Sequence, residues 1–182
     1  MSSGEKDGGK SGTRKKEYAG ADHLLHRIAP QLRRARAEDA EALAPMFLGI
    51  WQDMRFAPPW GEAASLRALT KSIRDDKGRF AWRNNIVWEE DGTLRGAVCV
   101  YPGVDEGQLI EEFIPYLEEE GAKLANWSFA QESKAGEMYL DALYVLPSYR
   151  GQGIGSDLLQ GPMMQTALGE DPLRLCVARR NL

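Results

Sequence analysis

Apolar residues along this chain switch between the two-residue alternation of strands and the three-to-four-residue recurrence of helices. Residues 32–36, opening on Leu32, read as a short strand. Ala40, Leu43, Ala44, Phe47, Leu48 and Trp51 then recur at helical spacing on one face. Pro45 within them is expected to kink that helix or restart it. A second helix is predicted over 63–73, with Leu66, Leu69 and Ile73 on its apolar face, and Trp60 sits in the connection before it. The clearest hairpin joins 86–90 to 94–101 across Asp91-Gly92, a pair that tolerates the positive φ angles of a tight turn. Tyr101-Pro102-Gly103 ends its second arm.

Residues 104–136 form a long excursion, where Leu109, Ile110, Phe113, Ile114 and Leu117 make a helical face. Glu111, Glu112, Glu118, Glu119 and Glu120 crowd its other sides, and Pro115 is expected to interrupt it. The acidic side suits a solvated helix face, or a lid that attracts a cationic amine. A strand over 138–145, a helix from Gly153 that bends or ends at Gly161-Pro162, and a strand over 173–178 complete the pattern. Helices and strands alternate around a strand-built core without internal repeat, so the class is α/β or α+β with a mixed sheet.

Composition narrows the picture. With 182 residues and 43% hydrophobic content, one domain with a full core is expected. Residues 1–30 are rich in Gly, Ser, Lys and Glu and read as a flexible polar tail, leaving 31–182 as the folded domain. Gly4-x-x-x-x-Gly9-Lys10-Ser11 in that tail satisfies the nucleotide-binding P-loop pattern, but only Met-Ser-Ser precedes it where a hydrophobic strand is required. The cluster Arg14-Lys15-Lys16 reads as solvated. A net charge of −4 argues against a protein built to hold nucleic acid. No apolar run is long enough to cross a bilayer, and the N-terminus is polar rather than a signal peptide. Cys99 and Cys176 fall in strand-like runs and are expected to be buried free thiols in a reducing cytoplasm. His23 and His26, the only histidines, lie in the tail. Ser–His, Cys–His and His-based zinc chemistry are thereby excluded from the domain, and a general base must be a carboxylate, a tyrosine or a held water.

The densest chemical signal is in residues 136–156. The strand stops at Leu146-Pro147, a turn Arg150-Gly151-Gln152-Gly153-Ile154-Gly155 follows, and Leu158 and Leu159 open a helical pattern. Such a turn aims several backbone N–H groups at one point, which suits a phosphate or pyrophosphate. The glycines permit close approach, and Arg150 adds positive charge. A dinucleotide fingerprint is rejected. It needs Gly-x-Gly-x-x-Gly, whereas Ser156 follows Gly155, and its acidic ribose ligand would fall about twenty residues on, where the chain nearly ends.

Arg150-x-x-Gly153-x-Gly155, after a strand ending Leu143-Tyr-Val-Leu-Pro147, closely resembles the acetyl-CoA-binding motif of the GCN5-related N-acetyltransferases. The run 31–43 resembles that family's first strand and helix, and 86–101 its second and third strands. The resemblance implies a mixed, mostly antiparallel sheet flanked by helices and splayed at an acyl-CoA cleft. It implies acetyl transfer from acetyl-CoA to the amine of a small molecule or peptide. The amides of Gly151, Gln152, Gly153, Ile154, Gly155 and Ser156 would hold the pyrophosphate beside Arg150. The main chain of Leu143, Tyr144 and Val145 would hold the pantetheine arm, in a gap between that strand and the one at 173–178.

Members with a glutamate base carry it where this chain has Tyr139. Strict alternation puts Glu137, Tyr139, Asp141 and Leu143 on one face, making Asp141 first and Glu137 second as catalytic carboxylates. An Asp at this place equally suits a hydrogen bond to backbone or a nearby Arg. Trp51, Trp60 and Trp82 are candidates for the substrate side, or for core and rim packing. Past the last strand the family continues with Asn-x-x-Ala, a helix bearing a Tyr general acid, and two closing strands. Asn181 matches the first of these and the sequence stops at Leu182, so one flank of the sheet is expected to lie open and apolar. That ending supports a second reading, a truncated, non-catalytic coenzyme A-binding or scaffold homologue. No metal, nucleic acid or membrane partner is expected, and a homodimer is left open.

Overall fold

The structure, a computed structural model, describes residues 31–125 and 129–176. The P-loop-like stretch, the basic cluster, both histidines and Asn181 lie outside the described residues, as do positions 177 and 178 of the last predicted strand. Strands pair in chain order. β1 (Leu32–Arg34) runs antiparallel to β2 (Asn85–Glu90), setting Leu32 against Trp88 and Arg34 against Ile86. β2 turns through Asp91 (φ 50) and Gly92 (φ 73) into β3 (Thr93–Pro102), the hairpin that the sequence predicts. β4 (Met138–Val145) lies antiparallel to β3, and β5 (Leu173–Leu175) runs parallel to the start of β4. The result is a five-stranded, mostly antiparallel open sheet of order β1-β2-β3-β4-β5.

Both faces are covered. On one lie α1 (Ala40–Asp53), α2 (Glu62–Arg74) and α3 (Glu106–Glu119), whose Leu43, Phe47, Leu69, Ile73 and Phe113 pack on Ala97, Cys99 and Tyr101 of β3. On the other, α4 (Ile154–Gln160) and α5 (Pro162–Leu168) pack Ile154, Leu158 and Met164 on Val98, Val100 and Ile86. Ile154 is 1% exposed and Leu158 0%. Each buried side chain of that size contributes roughly 1.5–3 kcal/mol, which fastens the start of α4 to the sheet.

Three expectations are corrected. α1 runs through Pro45 without a restart, and α3 runs through Pro115 without interruption. Both prolines are exposed, as are Glu41 and Glu111, whose carbonyls lose their partners, so water replaces the missing bonds. The strict alternation on β4 also fails. Cys99 pairs with Ala142 but Val100 pairs with Leu140, which leaves Asp141 as the extra residue of a β-bulge. Tyr139, Ala142 and Tyr144 therefore face α1, while Met138, Leu140, Leu143 and Val145 face α4 and α5. Gly161-Pro162 does end α4, with Gly161 extended and Pro162 opening α5. Among the described residues no helix is long and apolar enough to cross a membrane.

Candidate functional site

The site begins where β4 hands over to α4. A single 3-10 turn (Pro147–Tyr149) leads to Arg150, and Gly151 (φ 76) and Gly153 (φ 89) take left-handed conformations before the helix. An added Cβ at either glycine would meet nothing within 4 Å. Backbone conformation rather than crowding therefore demands glycine, and the space beside the loop is open. Past Arg150, whose N–H donates to Pro147 O at 3.3 Å, the first amide with a backbone acceptor is Asp157 N–H, donated to Gly153 O at 3.0 Å. The N–H groups of residues 151–156 donate to no acceptor among the described residues.

Arg150 does not stand free above this loop. Its Nε donates to Val145 O at 3.0 Å, its Nη2 reaches Asp53 Oδ2 at 3.4 Å, and its guanidinium lies 5.3 Å from the Tyr144 ring centroid. Tyr144 packs against α1 at Gly49, where an added Cβ would come 2.9 Å from its Oη. The junction of strand, loop and helix is fastened at both ends.

Along β4 the pairing with β5 covers only Met138, Tyr139 and Leu140. From Asp141 to Val145 that edge has no strand partner among the described residues. The bulge at Asp141 lies where pairing ends, and Asp141 and Ala142 also line a cavity of about 330 Å³ on the α1 side of the sheet. Ile50 and Trp51 from α1 wall this cavity, with Met54, Phe56 and Trp60 from the connection to α2 and Phe113 from α3. Phe80, Phe129 and Cys176 close further sides. Trp51 sits edge-on to Phe56 at 5.8 Å and to Phe80 at 6.3 Å between centroids.

The cavity's charged groups are few. Asp141 takes a two-pronged bond from Arg79, Nε to Oδ2 and Nη2 to Oδ1, each 2.7 Å, and Tyr101 Oη donates to Oδ2 at 3.0 Å. Both partners of the ion pair are largely shielded from water, with side chains 13% and 8% exposed. Burial opposes the charge on Arg79, but the Asp141 carboxylate outweighs it and holds the guanidinium protonated. Burial, then the Asp141 charge, pushes the Tyr101 phenol far above its ordinary range. Burial likewise pushes the Cys99 thiol up, and its Sγ donates to Arg79 O at 3.2 Å. Tyr139 donates its hydroxyl to Glu132, and burial followed by that bond raises its phenol well above normal.

The predicted site residues thus separate. Gly151 to Ser156 and Arg150 gather at the loop, and Leu143, Tyr144 and Val145 lie on the open edge of β4 leading to it. Asp141 lines the cavity, whereas Glu137 does not. Glu137 accepts Lys134 N–H at 3.2 Å and lies 3.5 Å from Arg174 Nη1. Trp51 and Trp60 line the cavity, while Trp82 packs beside the core outside it. Cys99 is buried and free, but Cys176 is exposed, against expectation. On the acidic side of α3, Glu111, Glu118 and Glu119 are exposed, as a solvated face would be, while Glu112, and Glu120 at the helix's end, make structural contacts. Glu112 accepts Gly78 N–H at 3.1 Å, and Glu120 pairs with Arg67 and Lys71.

Sequence reasoning missed Arg79, Glu106 and Glu132. Glu132 stands in the loop before β4 and meets Tyr139, the position where the resemblance expects a glutamate. Glu106, 0% exposed, takes the N–H groups of Glu132 (3.0 and 2.9 Å) and Ser133 (2.8 Å) and the Ser133 hydroxyl (2.6 Å). No local pattern signals these pairings: Arg79 and Asp141 lie 62 residues apart, Glu106 and Glu132 26 apart, and Glu132 meets Tyr139 across a loop of no regular period. The one available hint was the replacement at Tyr139 itself.

No curated protein matches this sequence. Among solved structures, one known only as an acetyltransferase is 28% identical, superposes with a TM-score of 0.69, and matches over 82% of each chain. An N-acetyltransferase from Staphylococcus aureus Mu50 has the same fold, at 23% identity and a TM-score of 0.68 over 82% of each chain. The model of the acetyltransferase (GNAT) family matches residues 45–161, from α1 through the glycine loop to the end of α4. With the sheet, the bulge and the amide-lined turn in place, the chain belongs to the GNAT acetyltransferase family.

Proposed function

We propose that this protein transfers the acetyl group of acetyl-CoA to the amine of a small molecule or peptide. One observation carries the reading. The amides of residues 151–156, without acceptors among the described residues, lie at the end of a strand edge that is likewise unpaired from Asp141 onward, and that edge starts at residues that line a cavity. Such a turn fits a diphosphate, because left-handed glycines present N–H groups with open space beside them. Gly151, Gln152, Gly153, Ile154, Gly155 and Ser156 would hold the pyrophosphate, and the main chain of Leu143, Tyr144 and Val145 the pantetheine arm. Arg150 contributes its charge at the rim while tied to Val145 O. When bound, the cofactor supplies an activated thioester.

The chain's own residues must orient the amine, exclude water and accept a proton, since an ammonium has no lone pair for attack. Aromatic walls supply the exclusion. Both oxygens of Asp141 are committed to Arg79 and Tyr101, so proton acceptance there would open the fork. We assign Asp141 to holding Arg79 and Tyr101 around the bulge, and Glu137 to fixing the start of β4. Two unpaired thiols, Cys99 and Cys176, suit the cytoplasm.

Titration calorimetry with acetyl-CoA tests the cradle. Heat is expected from the native protein and is expected to vanish in Gly153→Val, where φ is 89° and a β-branched residue is strained. No heat from the native protein overturns the reading. Thiol release is then followed over monoamines, polyamines, amino acids, aminoglycosides and peptide N-termini. Cofactor binding with no release from any of them would instead identify a coenzyme A-binding protein without turnover.

A further inference from the structure

Among the described residues, the cavity beside the bulge holds three charged side chains, Arg79, Asp141 and Glu132. Arg79 and Asp141 neutralise one another across their fork. That leaves Glu132, which accepts the Tyr139 hydroxyl and forms no ion pair among the described residues. Its backbone is pinned on both sides. The N–H donates to buried Glu106, and the carbonyl accepts Arg174 Nε at 2.8 Å. A single negative charge therefore stands preorganised in a cavity whose remaining walls are mostly aromatic, with aliphatic Ile50 and Met54 among them, and aromatic rings attract cations through their faces.

Size and polarity narrow the occupant further. About 330 Å³ is at the low end of small-molecule sites, roughly 300–1,000 Å³. A polyamine would bring second and third charges with no further unpaired carboxylate among the described residues of the cavity to meet them. An aminoglycoside or peptide would bury hydroxyls and amides against Trp51, Phe56, Phe80 and Phe113 with no partners. We propose that the acceptor is a compact, apolar monoamine bound as its ammonium, with Glu132 as the carboxylate that receives it and the aromatic walls enclosing its hydrocarbon part. This identification rests on the transferase reading above.

The test is equilibrium binding, read by tryptophan fluorescence and calorimetry at pH 7, with and without coenzyme A. Primary amines are charged there, as the ordinary lysine value of about 10.4 implies. 2-Phenylethylamine and hexylamine are expected to bind, and both to bind more tightly than spermidine or glycinamide. Glu132→Gln is expected to weaken 2-phenylethylamine about tenfold or more, while 2-phenylethanol binds the native protein and the variant equally. The alcohol reports that the cavity is intact, so a folding defect in the variant cannot imitate the loss. Tighter binding of spermidine, an unchanged 2-phenylethylamine affinity in Glu132→Gln, or no binding of either apolar amine overturns the proposal. Coenzyme A titrated in the same experiment separates the two readings: its binding without amine binding defeats only this proposal, and its own failure to bind defeats the transferase reading.

Discussion

Asp141 and Arg79 show how one residue pair decides the local chemistry. Their fork is desolvated on both sides, and the Tyr101 hydroxyl completes it. Removing one partner of a buried pair costs about 3–5 kcal/mol, because the survivor keeps its charge without compensation. Asp141→Ala is accordingly expected to lower the urea midpoint strongly, and Asp141→Asn by less. If Asp141 positions rather than abstracts, Asp141→Asn retains the acid limb of the kcat/KM profile despite its lower midpoint. Loss of that limb with an unchanged midpoint would make Asp141 the proton acceptor. The sequence exposed this residue as a candidate and even allowed an arginine partner, but it could not select Arg79, which lies 62 positions away. Cradle glycines were legible because their chemistry is local: positive φ angles and consecutive amides belong to one short stretch. Glu132 was illegible because its role depends on Glu106 and Tyr139, which only the fold brings together.

Elements were legible where their period was undisturbed. The hairpin around Asp91-Gly92, the faces of α1 and α2 and the break at Gly161-Pro162 follow directly from local pattern. β4 was misread past Asp141 because one inserted residue exchanges the two faces, and nothing local marks a bulge. The prolines were over-read, since position on the helix face decides their cost and both face water. Gly96 of β3 exposes the next dependency. A Cβ there would approach Tyr144 O at 3.0 Å, Ile154 Cγ2 at 3.1 Å and Leu158 Cδ1 at 3.2 Å. α4 therefore packs closely over this position, and a side chain there would make its first residues or the β4 backbone give way by a few tenths of an ångström. Gly96→Val is expected to destabilise by about 1–3 kcal/mol through overpacking and, by lifting the start of α4, to weaken coenzyme A at least as strongly as it weakens the fold. Full retention of coenzyme A affinity in a destabilised variant would show that the loop is set independently of that contact.

At the scale of the molecule, ionisable groups that report on folding sit at opposite ends of the pH range. Both histidines fall in the first thirty residues, so no imidazole of 31–182 titrates near neutrality. On the acid side stands Asp39, at the junction of β1 and α1. Burial opposes its charge, yet Arg33 at 2.7 and 2.9 Å and Arg36 N–H at 2.7 Å outweigh that and hold the carboxyl below its ordinary value. A depressed carboxyl stabilises the fold above its unfolded value, about 3.9, and loses that contribution as pH falls through the lower folded value. On the alkaline side stand Tyr101 and Tyr139, both raised chiefly by burial and then by Asp141 or Glu132. A raised phenol contributes fully below its unfolded value, about 10, and ever less as pH climbs above it. Urea midpoints are therefore expected to hold level between about pH 5 and 9 and to fall on both sides. Asp39→Asn should flatten the acid decline and Tyr139→Phe the alkaline one, each leaving the other limb intact, because the two groups lie at separate sites and share no partner. If Tyr139→Phe leaves the alkaline limb unchanged, its phenol ionises as freely in the folded protein as in the unfolded chain. The hydroxyl would then not be held against Glu132, and the carboxylate assigned to the amine would have lost its only described partner within the cavity.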